Sequence, residues 1–382
     1  GGTSASFVRP TLPHASLMDI EGGGPAPPLG LWSGDVLQDA LTFEKAAVRE
    51  VEVSGRTVAL DMTPLGLLHV SETGETRVAH DRETGEAFAA KLVQHSQGAA
   101  PADDVFCVDA AVGLSHPCLV TVIGVVSVPG HEGARVFVTQ LCPGGELLDS
   151  LLEREGALPT EEAVKIMRRV TAGLSYLHAR GLAHTRIRAS KLLVDSDGRV
   201  RISIAGCVHR DKSPQARAEA LASVEMAGPF APPELVALSA KRGADLSAVE
   251  AEAQHAEEVM AAAAAHGSAK LAGASSVTAA SVSEAAAVWA VGTLAYVLTQ
   301  GEAPFGTADA GVDDEYVTFA RALPQPTLPA SGSDVLLTQL IASTMATSPT
   351  ARPSLPALLA RGWLEPGAQA PPAMQTPTGA KP

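Results

Sequence analysis

The sequence predicts an α+β fold, and three observations carry that prediction. Residues 65–93 divide into short alternating runs separated by turn residues at 71–75 and 83–85, a pattern typical of consecutive hairpins. Residues 159–177 have the spacing of a long amphipathic helix. Soon after that helix, two β-like runs flank Asp197-Gly198, which is a strong signal for a tight hairpin.

Composition limits the kind of protein this is. The 382 residues are 46% hydrophobic and 18% charged, which suffices for one main domain with a large core and additional segments. The formal charge of −14 argues against nucleic-acid partners and against binding to anionic membranes. No run of 18 apolar residues is present, so no transmembrane helix is expected. The four cysteines lack metal-type spacing and indicate a reduced, intracellular protein, for which we expect a cytoplasmic location.

The ends of the chain differ from its middle. Residues 1–30 and 366–382 are rich in Gly, Pro or Ser, which predicts flexible tails. Residues 32–49 are compatible with a helix, and 51–61 alternate around a Ser-Gly turn as in a hairpin. Residues 1–60 are therefore interpreted as a tail and extension that precede the main domain. The chain begins with Gly1 in place of Met, so the lack of a targeting segment carries no meaning.

One stretch, residues 176–206, organises the main domain. A helix ends at Tyr-Leu-His, Gly181 stops it, and a short loop leads into the hairpin around Asp197-Gly198. This order resembles the catalytic core of eukaryotic protein kinases, where YLH, HRDLKPEN, a hairpin and DFG follow at the same spacing. His184 keeps the family's loop histidine. A second His-Arg-Asp, at 209–211, lies after the hairpin and is interpreted as a coincidence.

The resemblance also shows which family residues are replaced. Arg186 stands where the family has its catalytic Asp, and Lys191 stands where it has the metal-binding Asn. At the DFG motif the metal-binding Asp is replaced by Ile204. The resemblance therefore predicts that no catalytic residue is intact and that no metal site exists.

Further motifs resemble the same family in the expected order. The resemblance implies a bilobal protein-kinase-like fold over residues 61–365, with a five-stranded β-rich small lobe at 61–140 and a helical large lobe at 141–365. An Ala-rich insertion at 240–285 is expected to form either a solvated helix or a docking helix. The supporting motifs are the strand around Lys91, Gly144-Gly145-Glu146, Pro232-Pro233-Glu234, Ala287-Val288-Trp289 and Arg352. The resemblance also implies that Glu234 and Arg352 form a buried ion pair.

Positions that would contact a nucleotide follow from the same resemblance. Only one of the three glycines of the glycine-rich loop remains, and Glu72 and Glu75 add negative charge there, so a triphosphate is expected to bind poorly. The lysine at 91 pairs with Asp103 or Asp104, or else it is a partly exposed strand residue. Thr139 falls at the gatekeeper position. The nucleotide-binding positions that the resemblance implies are Lys91, Gly74, Ala89, Thr139, Glu146, Arg188 and Leu193.

The column of side chains that links the family's active elements is also reduced. Three of its five members are alanine in this chain, which predicts an inactive-like small lobe because large-to-small differences in a core are costly. The column consists of Ala111, Val122, His184, Ala205 and Ala287.

Three functions remain open from the sequence. The first is a pseudokinase that acts as a scaffold or allosteric regulator in signalling through protein partners, including an active kinase or a signalling complex. The second is a nucleotide- or anion-binding module that works without metal through Lys91, Arg186, Arg188 and Lys191. The third is a protein Ser/Thr kinase with unconventional catalytic residues. No cofactor is required, ATP is a possible ligand, and Mg²⁺ binding is not expected because two cations would repel it.

Overall fold

The computed structural model combines an antiparallel sheet with helices that follow it in the chain. It describes residues 41–71, 74–94, 111–131, 133–153, 157–184, 187–210, 232–233, 282–301, 304 and 335–360. Seven strands form the main sheet, which we call the sheet region: β1 (Glu50–Val53), β2 (Arg56–Leu60), β3 (Leu67–Ser71), β4 (Gly74–Asp81), β5 (Ala87–Gln94), β6 (Val122–Ser127) and β7 (Ala134–Gln140).

The strand order of this sheet is β1-β2-β4-β5-β7-β6, with β3 paired to β4 beside this path. The first half of β4 pairs with β3, from Ser71 opposite Gly74 to Leu67 opposite Arg77. Its second half pairs with β2, where Leu60 lies opposite Ala79. The five strands predicted for residues 61–140 are present as β3 to β7, and the extension hairpin of β1 and β2 adds two further strands to the same sheet.

The extension packs against the sheet instead of preceding it as a separate tail. Residues 41–49 form turns in place of the predicted helix, and Ala47 has a positive φ of 54°. Phe43 is fully buried, together with alternate residues of β1 and β2. These side chains share one apolar cluster with Phe88, Ala90 and Leu92 of β5, because successive strand residues point to opposite faces.

The sheet curls until its first strand meets its last. The Ser54 hydroxyl, in the turn after β1, donates a hydrogen bond to the carbonyl of Ile123 in β6 at 2.9 Å. A Cβ on Gly124 would lie 1.9 Å from Cγ2 of Val53, so only glycine allows this approach. The hairpin of residues 50–60 therefore covers both the outer face and the far edge of the strands that sequence reasoning assigned to the domain.

Helices and two small strand pairs form the second part, which we call the helical region. Strand 192–194 pairs with strand 200–202 around Gly198, as the hairpin signal predicts, and strand 182–184 pairs with strand 208–210. The third helix begins at Val282, inside the range predicted for the insertion, whose residues 240–281 lie outside the described part. The elements are α1 (Leu147–Glu153), α2 (Thr160–His178), β8 (Leu182–His184), β9 (Leu192–Val194), β10 (Val200–Ile202), β11 (Val208–Arg210), α3 (Val282–Gln300), α4 (Val335–Thr344) and α5 (Leu355–Ala360).

Helix α3 is the centre of the helical region. Its side chains are buried on nearly all sides, as its uniformly apolar sequence requires, and it contacts both α2 and α4. None of the helices in the described ranges is both long and apolar enough to cross a membrane.

Arg352 anchors this region from the loop before α5. Its side chain is fully buried, and its guanidinium donates to the carbonyls of Ala346 at 2.8 Å and Ala285 at 3.0 Å. The same group lies over the Trp289 ring, 4.9 Å from the ring centroid. Glu234, its expected partner, lies outside the described residues, so that ion pair stays a prediction.

Candidate functional site

The candidate site begins at strand β5, which carries the predicted ATP-contacting lysine. Lys91 lies opposite Thr76 of β4 and Phe137 of β7, and it is half-buried. Two residues earlier, Ala89 lies opposite Thr139, and both are buried. The Thr139 hydroxyl donates to the Ala89 carbonyl at 3.4 Å, so the predicted gatekeeper is turned toward the neighbouring strand. Asp103 and Asp104, the suggested partners of Lys91, lie outside the described residues.

The loop after β8 brings further cations toward the same place. A short 3-10 turn, Ala189–Lys191, presents Arg188 and Lys191, both half-buried. The turn is tied to the following strands because the Ser203 amide donates to the Lys191 carbonyl at 2.8 Å. The His184 ring contacts the Ser203 carbonyl at 2.9 Å, which fixes the start of the loop. Arg186, the residue in the catalytic-base position, lies outside the described residues.

Glu146 contributes a carboxylate to the site. It precedes α1, forms an isolated antiparallel bridge with Leu193 of β9, and its side chain is 18% exposed. Its carboxylate lies 3.6 Å from Nδ1 of His69 on β3, so the sheet region and the helical region touch at this point. Two residues from the predicted nucleotide-binding set, Glu146 and Leu193, are therefore brought together beside the Lys191 turn.

Five side chains thus form what we call the charged cluster: His69, Lys91, Glu146, Arg188 and Lys191. His69 and Glu146 are in contact at 3.6 Å, and the charges of the three cations act on both of them. Repulsion from Lys91, added to burial, lowers the pKa of the Lys191 amine to about 7. Partial burial and the three cations lower the pKa of the His69 ring to about 4. Burial raises the pKa of Glu146, although Lys191 opposes that effect.

The charged cluster does not fit a Mg²⁺ ion. The two positions that resemble the family's metal ligands hold an amine at Lys191 and the fully apolar, buried side chain of Ile204. Mg²⁺ prefers oxygen ligands, and Glu146 is the one carboxylate of the cluster. Within the described residues no group of three or more His, Cys, Asp or Glu could hold a metal ion.

The remaining glycine of the predicted phosphate loop has a structural role in the strand pairing. Gly74 has a φ of 141°, and a Cβ there would lie 2.2 Å from the Leu92 carbonyl. This position therefore requires glycine whether or not a phosphate binds. Its place in the nucleotide-binding set stays a prediction.

Glu75 differs from its predicted role of repelling phosphates. Its carboxylate is buried and accepts a hydrogen bond from the Phe43 amide at 2.8 Å and another from the Arg77 guanidinium. Arg77 also donates to the carbonyls of Asp61 and Thr63, at 3.0 Å each. The negative charge is neutralised inside the sheet region, where it ties the extension to β4. Sequence reasoning missed this network because residues 41–60 matched no family pattern.

The reduced column of side chains lies within the core. Ala111, Val122, Ala205 and Ala287 are all 3% exposed or less, and His184 is 5% exposed. Val93 of β5 packs beside them, since its methyl groups would contact a Cβ on Gly206 at 3.1 Å and 3.3 Å. Strand β5 therefore lies close to the chain next to Ala205, one of the positions where the family has a larger side chain.

Two further contributions to the site carried no sequence signal. The contact between His69 and Glu146 joins residues 77 positions apart, which no local pattern predicts. Cys207 is buried beside Ile204, and its effect is to raise the pKa of the Lys191 amine, against the effects of Lys91 and burial. A search of the sequence for acids, bases and glycines at family positions could have found neither.

Comparison with known proteins places the site in a family. Residues 71–243 match the family model described as "Protein tyrosine and serine/threonine kinase". The human "Serine/threonine-protein kinase 10" is 26% identical over 171 residues, which cover 43% of this chain and 17% of that protein. The Drosophila melanogaster "Serine/threonine-protein kinase grp" is 29% identical over 136 residues, 35% of this chain and 25% of that protein.

A third relative, the "Probable serine/threonine-protein kinase MARK-C" of Dictyostelium discoideum, is 33% identical over 93 residues, 24% of this chain and 12% of that protein. The chain spans a quarter or less of the length of these three relatives. The matched residues include Lys91, the Lys191 turn and the hairpin of β9 and β10. Residues 71–243 therefore form a domain of the eukaryotic protein kinase superfamily.

Proposed function

We propose that this chain is a bilobal, kinase-related domain that transfers no phosphate and acts as a scaffold or allosteric regulator through protein partners. One observation carries the proposal: the positions of the two metal ligands hold Lys191, in a cluster of cations, and the buried Ile204. Phosphoryl transfer depends on metal ions that neutralise the developing charge. A base is also required, and arginine, which occupies its position at 186, stays protonated at neutral pH. We further propose that the domain works inside the cell, without a nucleic-acid or membrane partner.

A radiolabelled transfer assay tests this proposal. The purified chain is incubated with labelled ATP and a generic protein substrate, with Mg²⁺ or Mn²⁺, beside a Lys91→Met variant. The expected result is incorporation at background level in both samples. Incorporation above background that disappears in Lys91→Met would show that the chain is an unconventional active kinase.

A second candidate function is the binding of an anion without metal, and the charged cluster favours it. Lys91, Arg188 and Lys191 converge in a half-buried site that contains one carboxylate, Glu146. Within the charged cluster three basic side chains accompany one acid, in a chain whose total formal charge is −14. Such an excess suits the phosphates of a nucleotide, with the amines and the guanidinium in place of the metal.

A thermal-shift comparison tests this second function. The chain is heated with ATP in EDTA and, separately, with ATP and excess Mg²⁺. Stabilisation in EDTA that is reduced by Mg²⁺ is expected, because the metal neutralises the phosphates that the cluster would contact. A stabilisation that requires Mg²⁺ would contradict the metal-free proposal.

A further inference from the structure

The hairpin of β3 and β4 lies between the extension and the helical region. His69 of β3 lies opposite Thr76 of β4, so these two side chains share one face of the hairpin. On that face Nδ1 of His69 lies 3.6 Å from the Glu146 carboxylate. Glu75 and Arg77 flank Thr76 along β4 and therefore point to the other face. One face of the hairpin thus contacts the helical region, and the other face carries the extension.

The Glu146 side of this contact has a fixed position. The backbone of Glu146 forms an antiparallel bridge with Leu193. Just before it, the Gly144 amide donates to the Val194 carbonyl at 3.0 Å, and the Val194 amide donates to the Gly145 carbonyl at 2.9 Å. A Cβ on Gly144 would lie 2.7 Å from that of Val194, so the two segments are in close contact. A movement that opens the contact therefore belongs to the hairpin.

The sheet holds this end of the hairpin on few sides. Among the described strands β3 pairs with β4 alone, and its register shifts between Leu67 and His69, as in a β-bulge. The register of β4 with β5 runs from His80 to Thr76, so Glu75 lies beyond it. The position of His69 therefore depends on what packs against the other face of the hairpin.

The extension packs against that face through three residues that we call the brace: Phe43, Glu75 and Arg77. The buried Glu75 carboxylate accepts a hydrogen bond from the Phe43 amide at 2.8 Å and another from the Arg77 guanidinium. The same guanidinium donates to the carbonyls of Asp61 and Thr63, at 3.0 Å each, in the segment that leads into β3. The brace therefore ties the start of β4 both to the extension and to the chain that enters β3.

We propose that the brace is a conformational control on the candidate site. While the brace is intact it holds His69 against Glu146, and when it is broken the hairpin moves and this contact opens. A ligand that hydrogen-bonds to the Glu146 carboxylate displaces the His69 ring more easily once the brace is broken. A protein that binds the extension gains control of the site through this continuous set of contacts. The inference goes beyond the proposed function, because the contact needs neither phosphate transfer nor a bound anion.

The His69 ring reports whether the contact is closed. In the closed position partial burial, together with the charges of Lys191, Lys91 and Arg188, lowers the pKa of the ring from 6.5 to about 4. A ring that moves into solvent leaves these surroundings and regains a pKa near 6.5. The state of the contact is therefore visible in the protonation of one side chain at mildly acidic pH.

Nuclear magnetic resonance of the full chain with isotope-labelled histidine tests the inference, without any ligand. The pH is lowered from about 8 to about 5.5, and His69→Gln identifies the His69 signal. In the wild type this signal is expected to stay that of the neutral ring. In Glu75→Ala it should titrate with a midpoint near 6.5 in place of about 4.

A second variant cuts the brace at another residue, in case Glu75→Ala does not fold. Arg77→Lys keeps the positive charge, but an ammonium group cannot span the three acceptors that the guanidinium joins. Circular dichroism verifies the fold of each variant. The matched controls are Glu86→Ala and Arg82→Lys, which alter exposed pairs with Arg56 and Glu50 and should leave the His69 signal as in the wild type.

Each outcome decides the matter. A His69 signal that titrates near 6.5 in a folded brace variant, but not in the wild type or the controls, supports the inference. A wild-type signal with that same midpoint shows that the contact is open, which overturns it. Brace variants whose ring stays neutral overturn it as well, because the contact then does not depend on the brace. The same change in a control variant removes the specific role of Glu75 and Arg77.

Discussion

Buried charge is treated in opposite ways in the helical region and in the charged cluster. In the helical region the Arg352 guanidinium donates to the carbonyls of Ala346 and Ala285 and lies over the Trp289 ring. In the charged cluster Lys191 faces two other cations, and repulsion lowers its pKa to about 7. The first arrangement satisfies its charge with protein hydrogen-bond acceptors, and the second places basic side chains where they repel one another.

The contrast separates groups that hold the fold from groups that suit a ligand. Buried charged groups that only stabilise a structure have hydrogen-bond partners in the protein, as Arg352 and Glu75 do. Like charges gathered in a cleft reduce stability, and strongly shifted pKa values of this kind concentrate at functional sites. The predictions below test the contrast by removing one charge at a time.

The largest effect is expected for Arg352. Replacement by Met leaves several buried carbonyls without donors, so the free energy of unfolding should fall by about 3–5 kcal/mol. Urea denaturation followed by circular dichroism measures the change. Arg352→Lys should lose less, and Lys165→Met, at an exposed position, should change stability by less than about 0.5 kcal/mol. An Arg352→Met variant as stable as the wild type would contradict the anchoring role.

The second largest loss of stability is expected for Glu75, because its buried carboxylate accepts hydrogen bonds from protein groups. Glu75→Ala leaves the Phe43 amide and the Arg77 guanidinium without their acceptor and should lower the free energy of unfolding by about 2–3 kcal/mol. The matched control is Glu86→Ala, which removes an exposed pair with Arg56 and should cost under about 1 kcal/mol. Equal losses in both variants would show that the extension does not depend on Glu75.

Lys191 should show a change of the opposite sign. Lys191→Met removes a repelled charge and keeps an apolar side chain of similar length, so the free energy of unfolding should rise by about 1–2 kcal/mol at pH 7. The same urea experiment measures it. A loss of stability in this variant would mean that Lys191 is compensated by protein groups, as Arg352 is.

The smallest effect is the dependence of stability on pH. The pKa of Lys191 is lowered from 10.5 to about 7 in the fold, so between these values the unfolded chain binds more protons and stability increases with pH. The midpoint of thermal unfolding should therefore rise from pH 7 to pH 8.5. From about pH 9 the Cys142 thiol opposes this rise, because burial raises its pKa from 9.0 to about 11 and the folded state then holds the extra proton. Lys191→Met should flatten the rise, and an unchanged rise would assign it to another group.

Much of the fold could be predicted because its signals are local. The hairpin around Gly198, the strand that ends at Gln140 and the helix Thr160–His178 each follow from turn residues or apolar spacing within a few positions. The hairpin at 51–61 follows from its local alternation, but its membership of the main sheet does not, because its partners lie far along the chain. Phe43 and Glu75 are 32 residues apart, and only the folded sheet brings them together.

The site could be predicted in its residues but not in its energetics. Family spacing points to Lys91, Glu146, Arg188 and Lys191, and in the fold the other three act electrostatically on the Lys191 amine. Their role in binding a ligand stays a prediction. The presence of several basic residues in the sequence does not show which amine has a lowered pKa. That depends on burial and on distances between residues of different strands and turns. Glu75 shows the opposite case, where a residue at a family position turned out to be neutralised inside the sheet region.

The closure of the curled sheet bears on the order in which the chain folds. Ser54 and Ile123 are 69 residues apart, so their contact requires the loss of much chain entropy before it contributes any stability. Contacts between neighbours such as β9 and β10 need no such search and can form early. We therefore expect the hairpin of residues 50–60 to dock late, after β6 and β7 have joined β5, so that the last step of folding of the sheet region completes the surface that covers Phe43.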